Sequence, residues 1–281
     1  MKSRSLPLEQ DWFTVESPEA GIFTIEEPLH AEAVKSYLIV GSERAVLIDT
    51  GMGVGDIKAL VETLTTRPVT VLNSHGHWDH IGGTHAFQAT SEILIHRLGA
   101  AALRHGVDNM AMQSFLSSDQ LLGSLPPNFD LATVTIPGVE PTRLLDGGET
   151  LDLGDRQLAI VHAPGHAPDL VVAVDRERGL LFSTDAAYAG ALYAQLDGSD
   201  LVAYAATMRL LSDLVPSLRT VYPSHGASPI SPALIPRMRD AIEAAVDGKS
   251  SDRVVGGVRE TDYDGFSLLT SASAAAKEGR C

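Results

Sequence analysis

Cysteine is almost absent from the chain: the one thiol, Cys281, is the last of 281 residues, so no disulfide can form within it. Aromatic residues are scarce as well, at 5%. No apolar run approaches the length that crosses a bilayer, the longest being stretches such as residues 170–174. Residues 1–13 carry charges and lack the apolar core of a secretory leader. The expectation is a cytoplasmic protein with no membrane partner. Positive charge is also in short supply. Lys and Arg total 21 against 36 Asp and Glu, a formal net charge of −15, and a field of that sign repels phosphate backbones, so no nucleic-acid partner is expected. No repeat of fixed period and no low-complexity linker interrupts the chain, which predicts one domain over residues 1–281.

What is present is a globular composition, 44% apolar, enough to build a core and too much for a disordered chain. Short β-prone runs at residues 21–25, 36–40 and 45–48 alternate with polar or glycine breaks. Residues 56–65 then place Ile57, Leu60, Val61 and Leu64 at helical spacing. A β-prone run at 69–72 leads into a polar segment, followed by a helix near 83–87, a strand at 93–96 and a helix at 98–104. Residues 106–131 are rich in Met and Leu, and Met112, Phe115 and Leu116 fall at i, i+3 and i+4, which predicts an amphipathic helix. This stretch reads either as a lid inserted over a site or as ordinary core or a dimer contact. Strands dominate from 133 to 185, with glycine and proline punctuation. A helix at 201–214, a strand at 220–222 and a last helix at 232–246 with Gly248 as its stop signal follow. Beyond them lie one β-prone patch at 266–269 and a small, polar end that is expected to fray.

The polar segment after residue 72 carries the chemistry. It reads His75-Gly76-His77-Trp78-Asp79-His80, three histidines and one aspartate within six residues. Extended residues at i and i+2 project to one side, so His75 and His77 can converge on one ion, while Asp79 and His80 can face another. His and Asp are costly to bury unpaired, so packing alone rarely gathers them in this way. Trp78, within the motif, is assigned to packing.

This H-x-H-x-D-H segment resembles the signature of the metallo-β-lactamase superfamily, and four further motifs follow its order. Asp49 in Leu47-Ile48-Asp49-Thr50-Gly51 resembles the structural aspartate at a strand end. His166 in Ala163-Pro164-Gly165-His166 resembles the third-motif histidine, with Ala163 where a threonine is familiar. Asp185 in Phe182-Ser183-Thr184-Asp185 and His225 in Pro223-Ser224-His225-Gly226 resemble the bridging aspartate and the final histidine. The resemblance covers residues 36–226. It implies an α/β (α+β) fold, a four-layer αβ/βα metallo-β-lactamase sandwich with its site in a cleft at the edge of the sheets. It further implies two Zn2+ per chain, or another divalent transition metal: His75, His77 and His166 on one ion, Asp79, His80 and His225 on the other, with Asp185 bridging. Asp49 would orient the ligand imidazoles. Five neutral imidazoles and two carboxylates around two dications leave net positive charge to stabilise a hydroxide.

The resemblance narrows the chemistry too. β-Lactamases of the superfamily carry Cys or Ser where this chain has Asp185, and flavodiiron reductases carry Glu where it has His77. Nuclease branches fit poorly with the net charge. What remains is a hydrolase that opens a small ester or lactone by attack of a metal-bridging hydroxide, with Asp79 helping to steady the leaving group. Asp185-Ala186-Ala187-Tyr188 resembles the D-x-x-Y arrangement of acyl-homoserine lactonases, which implies a catalytic Tyr188 that donates a hydrogen bond to the developing oxyanion. The apolar stretch 110–125 points to a small-molecule substrate with a hydrophobic acyl part, and a homodimer is compatible with it. The alternatives are a glyoxalase II-like thioesterase, a persulfide dioxygenase with a single iron, and a binding module without activity. His30, His85, His96, His105 and His162 have no ligand pattern and are assigned structural or surface roles.

Overall fold

The computed structural model describes residues 12–249 and 253–272, and the chain divides into two compact units, Met1–Ile160 and Val161–Cys281. The residues before Trp12, read above as lacking a secretory leader, and the end expected to fray, with Cys281, lie outside the described residues.

In the first unit a seven-stranded sheet runs in chain order through β1 (Thr14–Glu19), β2 (Ile22–Glu26), β3 (Lys35–Val40), β4 (Ala45–Ile48), β5 (Val69–Leu72), β6 (Glu92–His96) and β7 (Arg143–Leu145). The strands β1 to β4 form an antiparallel meander, and β4 to β7 pair in parallel. Parallel neighbours need crossovers, and helices supply them. The first, α1 (Ile57–Leu64), is capped by the Asp56 carboxylate, which accepts from the Ala59 amide at 2.9 Å, and it buries Ile57, Leu60 and Val61. The second crossover holds α2 (Trp78–Ile81), a helix not expected from the sequence, and the 3-10 turn Thr84–Phe87. The third holds α3 (Ala100–His105) and α4 (Asn109–Phe115). β4 is buried along its whole length, as expected of a strand covered on both faces.

The helix expected within residues 106–131 is α4. Met112 and Leu116 are fully buried in the core with Leu38, Leu47, Val71 and Ile93, and the Phe115 ring stacks on Trp78 at 4.6 Å. The i, i+3, i+4 face is therefore a packing face, and Trp78 packs as expected. Met110 and Leu122 point outward, 78% and 67% exposed, so the other face of the same stretch offers apolar surface to solvent.

The hairpin of β8 (Thr150–Asp152) and β9 (Gln157–His162) ends the first unit, β9 running on into the second. There β10 (Val171–Asp175) pairs antiparallel with β11 (Leu180–Thr184). Next come β12 (Ala191–Ala194), α5 (Leu201–Leu214) and β13 (Thr220–Pro223), which returns parallel to β11. The chain then forms α6 (Leu234–Val246), β14 (Arg253–Val255), β15 (Val258–Tyr263) and β16 (Phe266–Ser271). These last strands build a sheet in the order β12-β16-β15-β14, of which only the β16 patch was expected. Gly248 does stop α6: it adopts φ +68°, its amide donates to Ala245 O and the Lys249 amide donates to Ala244 O.

Candidate active site

Each motif residue sits just past the carboxyl end of a strand, where open α/β sheets expose side chains that secondary structure does not consume. In the first unit Asp49 follows β4, and His75 follows β5 by three residues, with His77 capping α2 and Asp79 and His80 inside it. The His75 ring lies 4.5 Å from that of His77 and 4.1 Å from that of His80.

A buried relay orients these rings. Asp49, with no exposure, accepts from the Ser74 amide at 2.7 Å, the Ser74 hydroxyl at 2.8 Å and His80 Nδ1 at 2.8 Å. The one hydrogen of the Ser74 hydroxyl is engaged in the bond it donates to Asp49, so at 2.9 Å its oxygen accepts from His75 Nδ1. In that tautomer both imidazoles carry the proton on Nδ1 and the lone pair on Nε2. The expected orienting role of Asp49 has this geometry for its support. His80 Nε2 faces Asp79 Oδ2 at 3.6 Å. Asp49 holds φ +62°, a left-handed conformation that a short polar side chain tolerates.

In the second unit Asp185 follows β11, His225 follows β13 and His166 follows β9. Asp185 Oδ2 lies 3.4 Å from His166 Nε2 and 3.3 Å from His225 Nε2. His166 Nδ1 donates to the Tyr193 carbonyl at 3.0 Å, which fixes its tautomer with the Nε2 lone pair toward Asp185. The segment before it is clamped: Thr207 Oγ1 donates to Pro164 O at 2.6 Å, and Ser199 Oγ donates to His166 O at 2.7 Å. Gly165 is needed because a Cβ there would meet the Tyr204 backbone at 2.4 Å. Thr184, just before Asp185, is held at φ +47°, an outlier for a β-branched residue.

With the proton on Nδ1, the His80 and His166 facings set acceptor against acceptor. A carboxylate oxygen and an imidazole lone pair repel unless a proton or a cation lies between them, so histidine and aspartate donors of this kind fit hard or borderline divalent metals. The histidine and aspartate donors are all buried or half-buried, at strand ends or, for His77, Asp79 and His80, at the cap and inside α2.

Tyr188 is buried, its ring 5.5 Å from that of His225, and its hydroxyl donates to Ala191 O. Four of the other histidines have partners outside the motifs: His30 Nε2 meets Phe115 O at 3.0 Å, His162 Nε2 meets Pro168 O at 2.8 Å, His85 Nδ1 meets Gly82 O at 3.2 Å, and His96 Nδ1 accepts from the Leu98 amide at 3.3 Å. Two residues escaped the sequence reading. Tyr204, fully buried, donates to the carbonyls of Ala186 at 3.0 Å and Asp185 at 3.3 Å, and burial together with the Asp185 charge pushes its phenol pKa up. Glu27, 2% exposed, accepts from Trp12 Nε1 and the Met52 amide, and burial pushes its carboxyl up to about 7. In the sequence Glu27 is one of two acidic residues before a proline, a pattern indistinguishable from a solvated turn.

Comparison with known proteins agrees with the motifs. Residues 31–232 match the metallo-β-lactamase superfamily. The human protein named acyl-coenzyme A thioesterase MBLAC2 is 31% identical over 231 residues, spanning 76% of this chain and 81% of that protein. Its chicken counterpart is 32% identical over 228 residues, with the same coverage. Among solved structures, a metallo-β-lactamase from Erythrobacter litoralis superposes with a TM-score of 0.60 at 19% identity, over 85% of this chain and 99% of that one, a likeness of fold. A protein crystallised in a di-iron-bound form gives a TM-score of 0.57 at 27% identity, over 73% of this chain and 93% of that one. The mixed α/β class and the metallo-β-lactamase fold expected from the motifs are therefore those of this protein. By its family match and by these relatives, the chain belongs to the metallo-β-lactamase superfamily and is a metal-dependent hydrolase.

Proposed function

We propose that the chain hydrolyses an acyl thioester, of the acyl-coenzyme A class, at a centre that holds two divalent metal ions. The observation that carries the metal reading is the facing of imidazole lone pairs on carboxylate oxygens at His80–Asp79 and His166–Asp185, with His225 Nε2 on the same Asp185 oxygen at 3.3 Å. His75, His77 and His166 would hold one ion, and Asp79, His80 and His225 the other, with Asp185 shared. The family match spans all of these positions, which supports joining the two half-sets into one centre. Zinc is the expected metal, and the di-iron relative makes iron the competitor. When bound, such ions lower the pKa of a water and polarise a carbonyl oxygen.

The chain's own residues do the rest. Asp49 and Ser74 fix the imidazole tautomers of His75 and His80. Asp79, nearly buried and beside His80, is placed to take the proton of the attacking water and return it to the leaving thiolate. The net result is water and thioester in, carboxylic acid and thiol out. The exposed apolar side chains Met110 and Leu122 support a partner with a hydrophobic acyl group.

The relatives support a thioester over an oxygen ester or lactone, since proteins above 30% identity bear that activity in their names. The lactonase reading rests on Tyr188, whose hydroxyl must leave Ala191 O before it can reach a substrate. A single panel tests both. The metal-loaded enzyme is assayed with acyl-coenzyme A of several chain lengths, acyl-homoserine lactones, aryl esters and S-lactoylglutathione, and its metal content is measured. Acyl-coenzyme A should give kcat/KM at least tenfold above every other class, with two metal ions per chain. Preference for lactones or for S-lactoylglutathione would overturn the thioester assignment in favour of that class. One iron with oxygen consumption would replace hydrolysis by persulfide oxidation.

A further inference from the structure

Glu27 takes no part in the chemistry above, yet a buried carboxylate is costly to keep unless its hydrogen bonds achieve something. It lies one residue beyond β2, with Oε1 accepting from the Trp12 indole at 2.6 Å and Oε2 accepting from the Met52 amide at 2.7 Å. Met52 closes the turn Asp49-Thr50-Gly51-Met52, and this turn is the seat of α2. The Thr50 amide and hydroxyl both donate to His80 O, at 2.8 and 3.1 Å. The Gly82 amide donates to Gly51 O at 2.8 Å, and Asp49 holds His80 Nδ1 at 2.8 Å. The clasp is close. Gly51 sits at φ +68°, and a Cβ there would stand 2.3 Å from Glu27 Oε2.

The Met52 amide therefore ties one carboxylate oxygen to the turn beneath α2 and sets its height, while the Trp12 indole occupies the other oxygen. We propose that Glu27 is a positioning residue for the metal ligands His80 and Asp79: it acts through the Asp49–Met52 turn to aim His80 Nε2. This inference rests on the metal reading above. An apolar side chain of like volume would fill the space beside Trp12, but it would leave the Met52 amide without its acceptor and the turn free to shift. A glutamine fails in a different way. Its amide offers one acceptor and one donor, so one of the two N–H groups would face an N–H.

The test uses the full chain at pH 8 and compares three proteins by stepwise chelator competition, kcat and KM, and the melting temperature of the metal-free form. Wild type should hold two equivalents. Glu27→Leu, which removes the acceptor of the Met52 amide, should hold the first as tightly as wild type and the second at least tenfold more weakly, with kcat falling and KM changing less than threefold. Trp12→Phe keeps the Glu27–Met52 bond; it should melt earlier but bind both equivalents within threefold of wild type. If Glu27→Leu does not fold, Glu27→Asp, whose carboxylate is drawn back by one methylene from the Met52 amide, takes the same measurements. Wild-type affinity for both equivalents in the Glu27 variant would overturn the inference and leave the metal reading intact. So would equal weakening in Trp12→Phe, because the effect would then follow stability. A wild type that binds no metal would remove the metal reading and the inference with it.

Discussion

Among single residues, Tyr188 separates two substrates by one bond. Its hydroxyl donates to Ala191 O at the start of β12, so in this conformation it anchors backbone. Under the thioesterase reading Tyr188→Phe should lower kcat by less than about tenfold and leave metal content unchanged. A fall of about 10²–10³-fold, the size of losing an oxyanion donor, would restore the lactonase reading. Glu27 gives a prediction of another kind. Burial raises its carboxyl from 4.5 to about 7, with the Asp79 charge adding to the rise and the bonds from Trp12 and Met52 and the charge of His80 opposing it. A carboxyl with a raised folded pKa binds its proton more tightly folded than unfolded. Its contribution is fully present below about pH 4.5 and is lost as the pH climbs toward 7. The metal-free protein should therefore lose on the order of 3 kcal/mol of unfolding free energy across that window from this group alone. Denaturant titrations at a series of pH values, with Glu27→Gln beside wild type, read this directly: the variant's profile should be flatter, and parallel profiles would reject it.

At the level of elements, α5 depends on a single cap. The Asp200 carboxylate accepts from the amides of Val202 at 2.8 Å and Ala203 at 2.9 Å, and its charge sits at the positive end of the helix. Asp200→Ala should cost about 1 kcal/mol, seen as a melting temperature roughly 2–4 °C lower, with metal stoichiometry unchanged. Loss of metal in this variant would show that the cap also sets the Pro164–His166 segment, since the Asp200 amide donates to Gly165 O at 2.8 Å. Elements such as α1, α5 and β4 were legible in the sequence because their signals are local: a capping aspartate, apolar residues at one spacing, a break after the last turn. The His75–His80 cluster was legible for the same reason, as a dense polar run after a strand. The short α2 was not, because it owes its existence to the 49–52 turn rather than to propensity. The strands β14 and β15 escaped because β14 has only three residues, all exposed, and β15 is mostly polar and half-buried, so no alternation marks them. Glu27 and Tyr204 act across 25 and 18 residues of chain on partners that only the fold brings near.

For the molecule as a whole, charge is the property that a thioester of coenzyme A would feel first. The chain carries −15, and two dications would bring it to −15 + 4 = −11, still the same sign as a polyanionic substrate. Long-range repulsion between like charges is screened over about 8 Å at physiological ionic strength. KM for acyl-coenzyme A should therefore fall as salt rises from roughly 0.01 to 0.15 M, while KM for an uncharged acyl thioester stays flat. A KM that rises with salt would instead locate the substrate on a local cationic patch that outweighs the net field. The left-handed Thr184 has a consequence for how such a protein can change. Strain at a β-branched residue of this kind is worth on the order of 1–3 kcal/mol, and glycine would relieve it. A laboratory selection for heat survival alone should reach glycine at position 184 early, and in doing so would give Asp185 latitude to wander. A selection for turnover would drive the position back. Heat tolerance and catalytic speed in this enzyme are then set against each other at one backbone angle.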